Sequence, residues 1–250
     1  MTSTVSLNPA AGTARPSASP LGTLTGIEIH KSLSTRSGRA VGLLAVLIGP
    51  IGVLIGSLGG EGTVPGAVVL GFTGMLTALV LLALGVLSTA GEWTHKSIQT
   101  TYLLVPRRGR VLTAKVAALV GLGAAFAAVG AALTVGMLWV VPDPVAWTAI
   151  GRAFAVAVAA GAAFAVTGAG IGAVLGNSAA ALTGTYLFFL GVLPILNAFK
   201  PAVAEKLDPV TSVVAVAQSG WSTTPVLVIA GWAVGATALG AVIARRRSVA

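Results

Sequence analysis

The sequence predicts an all-α integral membrane protein with about six transmembrane helices. Hydrophobic residues make up 56% of the chain and charged residues only 8%, whereas soluble domains carry about 25% charged residues. Six apolar stretches also occur, each close to the roughly 20 residues that a helix needs to cross a bilayer core of ~30 Å. Because so few charges cannot build a water-facing surface, lipid is the predicted solvent for most of the chain.

The six apolar stretches follow one another to the C-terminus. They cover approximately residues 41–58, 66–90, 114–141, 152–176, 179–199 and 224–244. Only Asn177 and Ser178 separate the fourth stretch from the fifth, and their combined length, about twice a single span, predicts a tight hairpin. Pairs of glycines four residues apart, such as Gly168 with Gly172 and Gly231 with Gly235, favour close helix crossings.

Two segments precede the first stretch. Residues 1–20 are rich in Ser, Thr, Ala and Pro and predict a disordered tail, so that residues 21–250 form one six-helix transmembrane domain. Residues 21–39 place apolar side chains on one helical face and predict an interfacial helix lying on the membrane. An ordinary juxtamembrane linker is the alternative interpretation. The polar residues of this segment that we consider functional candidates are Glu28, Lys31 and Arg36.

The basic residues are distributed unequally over the predicted loops. With both termini on one side, that side carries twelve of the fifteen Lys and Arg residues, and only Arg152, Lys200 and Lys206 lie on the other. The positive-inside rule then predicts that both termini are cytoplasmic. This rule and anionic lipid account for the net charge of +9. Nucleic-acid binding is not expected, because no soluble basic domain is present to carry it.

Motifs for catalysis are missing from the sequence. The pattern G-x-x-x-x-G-K-[ST] does not occur, and there is no cysteine, so we expect no ATP hydrolysis by this chain and no thiolate chemistry. His30 and His95 are far apart and lack the carboxylate pair of a metal site. We therefore predict neither enzyme activity nor a resident cofactor. No Asp, Glu, Lys or His occupies the middle of a predicted span, which argues against an ion-coupled carrier.

The most informative predicted loop covers residues 91–115, between the second and third spans. It mixes charged and apolar residues, and Pro106 divides it. Residues 97–105 predict a short amphipathic helix on the membrane surface that is suited to docking a soluble partner. Glu92 is predicted either to cap that helix or to pair with Lys31 or Arg36. A simple positively charged anchor is the alternative.

A second unusual loop, residues 201–223, precedes the last span on the outer side. Its middle, residues 209–218, is apolar but too short to cross a bilayer. This pattern predicts a re-entrant or interfacial hairpin, which is tolerated where protein covers its backbone. An ordinary loop is the alternative.

The order of these features resembles the membrane permeases of ABC-2 type transporters, which are bacterial ATP-driven exporters with a fold related to the ABCG exporters. The resemblance covers approximately residues 21–247. It depends on the amphipathic N-terminal segment, two spans, the Gly-Glu-Trp sequence at residues 91–93, and a run into the third span. The run contains Leu103, Pro106, Arg108, Leu112 and Lys115. The outer apolar loop and the basic C-terminus also match.

The resemblance implies a coupling helix in the loop after the second span, where it would fit a groove on an ATPase subunit. The coupling residues implied by the resemblance are Glu92, Trp93, His95, Lys96, Ser97 and Thr100. It further implies two separate ATPase chains, which bind ATP and magnesium, and a second permease copy or homologue, with a homodimer favoured. The implied location is the bacterial cytoplasmic membrane.

The resulting functional hypothesis is the permease subunit of an ABC exporter of drugs, peptides or natural products. A non-transporting membrane scaffold or assembly protein is the first alternative, and an ion-coupled carrier is the second. The sequence names neither the cargo nor the ATPase.

Overall fold

The computed structural model describes residues 20–58, 63–95, 108–141 and 144–246. Within them, six helices are long and apolar enough to cross a membrane. The elements in chain order are α1 (Leu21–Ser34), α2 (Arg36–Gly56), β1 (Val64–Pro65), α3 (Gly66–Thr94), α4 (Arg108–Leu138), β2 (Val145–Ala146), α5 (Ile150–Leu175), α6 (Ser178–Tyr186), a π-helical segment (Leu187–Val192), α7 (Leu193–Phe199), α8 (Pro201–Ala204), α9 (Pro209–Ser219) and α10 (Thr223–Arg246). The predicted number of spans is confirmed, with α6, the π-helical segment and α7 forming the fifth.

Polar caps set several helix boundaries, and α2 begins at Arg36, five residues before the predicted start of the first span. Thr35 Oγ1 accepts a hydrogen bond from Gly38 N (3.0 Å) and starts α2, as an N-cap hydroxyl does. The predicted hairpin between the fourth and fifth spans is present. Gly176 ends α5 in the left-handed conformation (φ 64°), and Asn177 caps α6 through Ala180 N. Residues 1–19, and the predicted coupling helix at 97–105, lie outside the described residues.

The third span begins earlier than predicted. We expected an apolar stretch from about residue 114, but α4 starts at Arg108. Residues 108–115 therefore form its first two turns rather than a loop. The reason is that Arg, Thr and Lys are compatible with a helix wherever their apolar neighbours, here Val111 and Ala114, pack against other helices. One consequence is that Lys115 is a helical residue and is only 4% exposed.

The centre of the bundle is the contact between α3 and α5. Gly85 of α3 faces the backbone carbonyl of Ala165, and Gly168 of α5 faces the backbone carbonyl of Leu82. A Cβ at either glycine would collide with a backbone oxygen of the opposite helix. The glycines thus let the two backbones approach closely, as the spacing of Gly168 and Gly172 predicts.

Aromatic side chains connect the fourth, fifth and sixth spans. The ring of Phe189, in the π-helical segment, lies 6.4 Å from that of Phe164 in α5 and 5.0 Å from that of Trp232 in α10. Phe188 lies 5.7 Å from Trp232. These centroid distances suit edge-to-face and tilted ring packing. Phe164 and Phe189 are at most 2% exposed, so both rings serve to pack the helices together.

The two ends of the bundle differ in charge. We call the end formed by α1, the C-terminus of α3 and the N-terminus of α4 the basic end. The described basic residues there are Lys31, Arg36, Arg39, Arg110, Lys115, Arg245 and Arg246. At the opposite end, β1 and β2 form a two-residue parallel ladder that joins the segments preceding α3 and α5. The basic end is the one at which the predicted coupling loop leaves and re-enters the bundle.

The segment for which a re-entrant or interfacial hairpin was predicted forms two short helices, α8 and α9. α9 packs against α3, α5 and α10, and Val213, Val216 and Ala217 are at most 1% exposed. Arg152 of α5 donates to the carbonyl oxygens of Ala217 (3.2 Å) and Gln218 (2.7 Å), which satisfies the C-terminus of α9.

Asp208 fixes the other end of α9. Its Oδ1 accepts from Val210 N (2.8 Å) and Thr211 N (3.3 Å), and its Oδ2 accepts from Thr211 Oγ1 (2.8 Å). Asp208 is only 4% exposed, so this cap is buried.

We expect Asp208→Ala to lower the free energy of unfolding by about 1–2 kcal/mol, because it removes this buried N-cap. Asp208→Asn is the matched control, since asparagine caps helices about as well as aspartate. Denaturant titration of the detergent-solubilised chain would measure both variants. An Asn variant that loses as much stability as the Ala variant would mean that the charge matters rather than the cap.

Candidate functional site

Four charged side chains meet inside the basic end of the bundle. Glu28 and Lys31 belong to α1, Glu92 to the last turn of α3, and Lys115 to the second turn of α4. We call these four residues the charge cluster. It joins α1 to the two consecutive helices α3 and α4, and it contains both acids that the chain has on the basic side of the predicted topology.

The local sequence brings each member to the same place. Glu28 and Lys31 are three residues apart, so they share one face of α1. Glu92 lies two residues before the C-terminus of α3, and Lys115 lies seven residues after the N-terminus of α4. The loop between α3 and α4 leaves the bundle immediately beside the cluster.

The two lysines bridge the two glutamates. Lys31 Nζ lies 2.8 Å from Glu28 Oε1 and 2.5 Å from Glu92 Oε1. Lys115 Nζ lies 2.5 Å from Glu28 Oε2 and 3.2 Å from Glu92 Oε1. Lys115 also donates to the backbone carbonyl of Ser88 (3.1 Å). Each lysine therefore contacts both acids, and the cluster carries no net charge.

Burial makes this pairing energetically important. Glu28, Glu92 and Lys115 are 6%, 8% and 4% exposed, and only the Lys31 side chain, at 39%, reaches solvent substantially. An unpaired charge at such a position costs several kcal/mol. The four side chains offset one another's desolvation, so removing one of them leaves a buried net charge.

The pKa directions in α1 agree with this geometry. Burial by itself would raise the pKa of Glu28, but Lys115 and Lys31 together hold it below its ordinary value. Burial would likewise lower the pKa of Lys31, but its hydrogen bonds and ion pairs with Glu28 and Glu92 raise it instead. Both α1 residues are therefore charged at neutral pH.

Of the residues singled out in the sequence, Glu28, Lys31 and Glu92 come together. The pairing of Glu92 with Lys31, one of the roles considered for this acid, is present. Arg36, the other basic partner considered, is instead exposed at the first residue of α2.

The predicted coupling residues divide into two groups. Trp93 is half-buried in the last turn of α3, and His95 is exposed just after it, with its backbone N–H bonded to Gly91 O (2.9 Å). Lys96, Ser97 and Thr100 lie outside the described residues.

Lys115 is the member of the cluster that sequence reasoning did not identify as a site residue. It was counted among the loop charges that set the topology. One signal was available: the basic side holds only two acids, Glu28 and Glu92, and Lys115 sits between Ala114 and Val116 at the start of an apolar stretch. If such a lysine is buried, it needs an acidic partner.

A cavity of about 440 Å³ opens beside the cluster. Besides the four charged residues and His95, its lining is rich in hydroxyl groups. These come from Ser32, Ser34, Thr35, Ser37, Ser88, Thr94 and Ser178. The cavity therefore places a partly open space with charged and hydroxyl groups in its wall between α1 and the bundle, close to where the α3–α4 loop begins.

The arrangement joins three helices. Its chemistry is that of a neutral, largely buried ion-pair network, which holds α1 against the ends of α3 and α4. Comparison of the chain with protein-family models and with curated proteins finds no match.

Proposed function

We propose that this chain is the membrane-spanning permease subunit of an ATP-driven exporter of the ABC-2 type. Two copies, or one copy and a homologue, would enclose the translocation path and bind two ATPase chains. The observation that supports this proposal best is the charge cluster. It ties α1 to the two helix ends between which the predicted coupling loop runs, so a force on that loop would reach three helices together.

The orientation proposed is the one given by the basic residues. The basic end faces the cytoplasm of a bacterial cell, both termini are cytoplasmic, and α1 lies along the membrane surface as a connecting helix. Leu21 and Ile27 of α1 are 48% and 50% exposed, and these apolar side chains support contact with lipid there.

We further propose that α8 and α9 form a re-entrant hairpin in the outer half of the membrane. Trp232 Nε1 donates to Leu207 O (2.8 Å), and Trp232 lies nine residues into α10, about 13 Å along its axis. The turn between α8 and α9 therefore lies well below the start of α10. Arg152 and Asp208 satisfy the two ends of α9, as a helix at that depth requires.

In the proposed mechanism, ATP binding and hydrolysis occur on the partner ATPase. Closure of that partner would push on the α3–α4 loop, and the rigid cluster would pass the displacement to α1, α3 and α4. Alternating access requires contacts that differ between the two states. The half-exposed Lys31 is the cluster member best placed to change its contacts, because it already reaches solvent.

The proposal is tested by purifying the tagged full-length chain from its native membranes. We expect an ATPase chain to co-purify in a one-to-one ratio, and ATP hydrolysis to occur in that complex and not in the permease alone. Recovery of the chain without any ATPase, even after chemical cross-linking in the membrane, would favour the scaffold alternative.

The role of the cluster is tested in the same complex with Glu92→Gln, which keeps the side-chain volume of this buried residue. We expect the variant to assemble but to hydrolyse ATP in proteoliposomes at least about fivefold more slowly, the lower end of typical coupling free energies. Lys200→Gln, an exposed change at the opposite end, is the control. An assembled Glu92→Gln complex with an unchanged rate would remove the cluster from the coupling path.

A further inference from the structure

An apolar groove runs along the exposed face of α10. It lies between α5, α10 and the turn that joins α8 to α9, and its volume is about 740 Å³. On α10 it extends from Thr224 to Leu239, a rise of about 22 Å. We call this the α10 groove. Only 11% of the most apolar 18 residues of α10 are buried, so the described chain leaves much of this span uncovered.

The floor of the groove is open. Gly231 and Gly235 form part of it, and a Cβ added at either would meet no atom within 4 Å. The spacing of these glycines predicted a close helix crossing, but nothing in the described part of the chain packs on them. Leu227 (63% exposed) and Leu239 (53% exposed) also line the groove and give it apolar walls.

Two charged residues lie on the turn beside the groove. Lys206 lines the groove and Glu205 directly precedes it, and both residues are exposed. The ion pairs among the described residues all belong to the charge cluster. Glu205 and Lys206 therefore have no ionic partner within the described part of this chain.

The depth of this turn makes the two charges unusual. The hydrogen bond from Trp232 Nε1 to Leu207 O holds the turn against α10. Trp232 lies about 13 Å along α10 from its start and about 20 Å from Arg245 at the basic end. The turn is therefore inside a bilayer core of ~30 Å. Because an ionised side chain that faces acyl chains at such a depth is costly, the turn needs a charged or polar neighbour.

Three occupants of the groove differ in how well they meet these requirements. Acyl chains match the apolar walls but leave both charges unpaired. Water solvates the charges but is a poor match for the leucine walls. A second copy of this chain meets both requirements, because it supplies an apolar helix together with the opposite charges.

The symmetry of a membrane dimer makes the two charges self-complementary. Two copies inserted in the same orientation are related by a two-fold axis along the membrane normal, so residues at one depth meet residues at the same depth. Glu205 and Lys206 are adjacent and share one depth. Across the axis, Glu205 of each copy faces Lys206 of the other, as in an isologous contact. Glycines one turn apart also let two α10 backbones approach closely.

We propose that the α10 groove is an interface between two copies of this chain. The two α10 helices cross at Gly231 and Gly235, and two reciprocal ion pairs form between Glu205 and Lys206. The inference rests on the proposed placement of α8 and α9 in the outer half of the membrane. It names the face that the second copy in the proposed function uses, and it depends on no step of transport.

Charge reversal tests the ion pairs with the full-length chain in proteoliposomes, where single-molecule photobleaching counts the copies per particle. Glu205→Lys gives the turn two positive charges, and Lys206→Glu gives it two negative charges. We expect either variant alone to raise the dissociation constant of the dimer at least about tenfold, because like charges then meet. The two variants reconstituted together should form mixed dimers as readily as the unaltered chain. Lys200→Glu, an exposed change outside the groove, should leave the dissociation constant unchanged.

A second variant tests the helix crossing. Gly231→Leu places a side chain in open space within one copy, so the variant should fold, but the side chain blocks the approach of a second α10. We expect its dissociation constant to rise at least about tenfold in the same measurement. Gly121→Leu, at an exposed glycine of α4 with equally open surroundings, is the matched control.

Several results would overturn this interface. They are an unaltered chain that is monomeric, a dimer that survives both charge reversals, and reversed variants that form no mixed dimers. Co-purification of an ATPase is a separate readout. A dimer that is insensitive to these substitutions but binds an ATPase would refute the interface and leave the proposed function standing. A charge-dependent dimer that binds no ATPase would support the interface and refute the proposed function.

Discussion

Replacing Lys115 with methionine is expected to lower the free energy of unfolding by about 3–5 kcal/mol, the usual cost of breaking a buried ion pair by removing one partner. Methionine preserves most of the volume but removes the ammonium group that lies 2.5 Å from Glu28 and 3.2 Å from Glu92. Lys31 alone then faces two buried carboxylates. The cluster changes from neutral to negative, and the carbonyl of Ser88 loses a donor.

Denaturant titration of the detergent-solubilised protein, followed by circular dichroism, would measure this loss. Lys200→Met is the control for removing a lysine from an exposed site, and its effect should be small. Adding Glu28→Gln to Lys115→Met should recover part of the stability, because the remaining Lys31 and Glu92 again balance. Additive losses in the double variant would show that Glu28 and Lys115 are not coupled.

Replacing Gly168 with alanine is expected to lower the free energy of unfolding by about 3 kcal/mol, at the upper end of the range for overpacked positions. The added methyl group would collide with the carbonyl oxygen of Leu82. Since that oxygen belongs to the backbone of α3, no change of side-chain rotamer relieves the contact. The two helices must separate, which weakens the packing around Val86 and Phe164.

Gly121→Ala in α4 is the matched control, since a Cβ there meets nothing within 4 Å. The same substitution at this exposed position should leave stability unchanged or raise it slightly, because alanine favours the helix over glycine. The two variants would be compared by their unfolding midpoints in the same detergent. Equal shifts would show that the α3–α5 contact tolerates separation and is not the centre of the fold.

The sequence was sufficient to predict the spans because bilayer thickness sets a minimum apolar length that few other structures need. It also predicted the hairpin at Asn177, where two spans meet with almost no connecting chain. It did not predict that α4 begins at Arg108. The spans were predicted from runs of apolar residues, and charged residues in the first turn of a helix do not belong to such a run.

The candidate site was only partly predictable for a related reason. Glu92 was identified as a candidate site residue because it is an acid beside a basic loop, and Lys31 was one of the two basic partners considered for it. Arg36 is only five residues from Lys31, and only the packing of α1 against α4 decides which of the two faces Glu92. Lys115 was missed because the count of basic residues in the loops treats every lysine near a span as solvated. Lys115 is instead part of α4, and its position on that helix places its side chain inside the bundle.

The interlocked backbones of α3 and α5 restrict how this chain can change shape. If one helix slid by one residue along the other, about 1.5 Å, each glycine would move away from the carbonyl oxygen that it faces. A residue with a side chain would then be pressed against that oxygen. The ladder of β1 and β2 also ties together the segments from which both helices start. The pair must therefore move as one rigid body. Relative displacement is left to the less buried elements, such as the fifth span, where 22% of the most apolar 18 residues are buried, against 61% in α5.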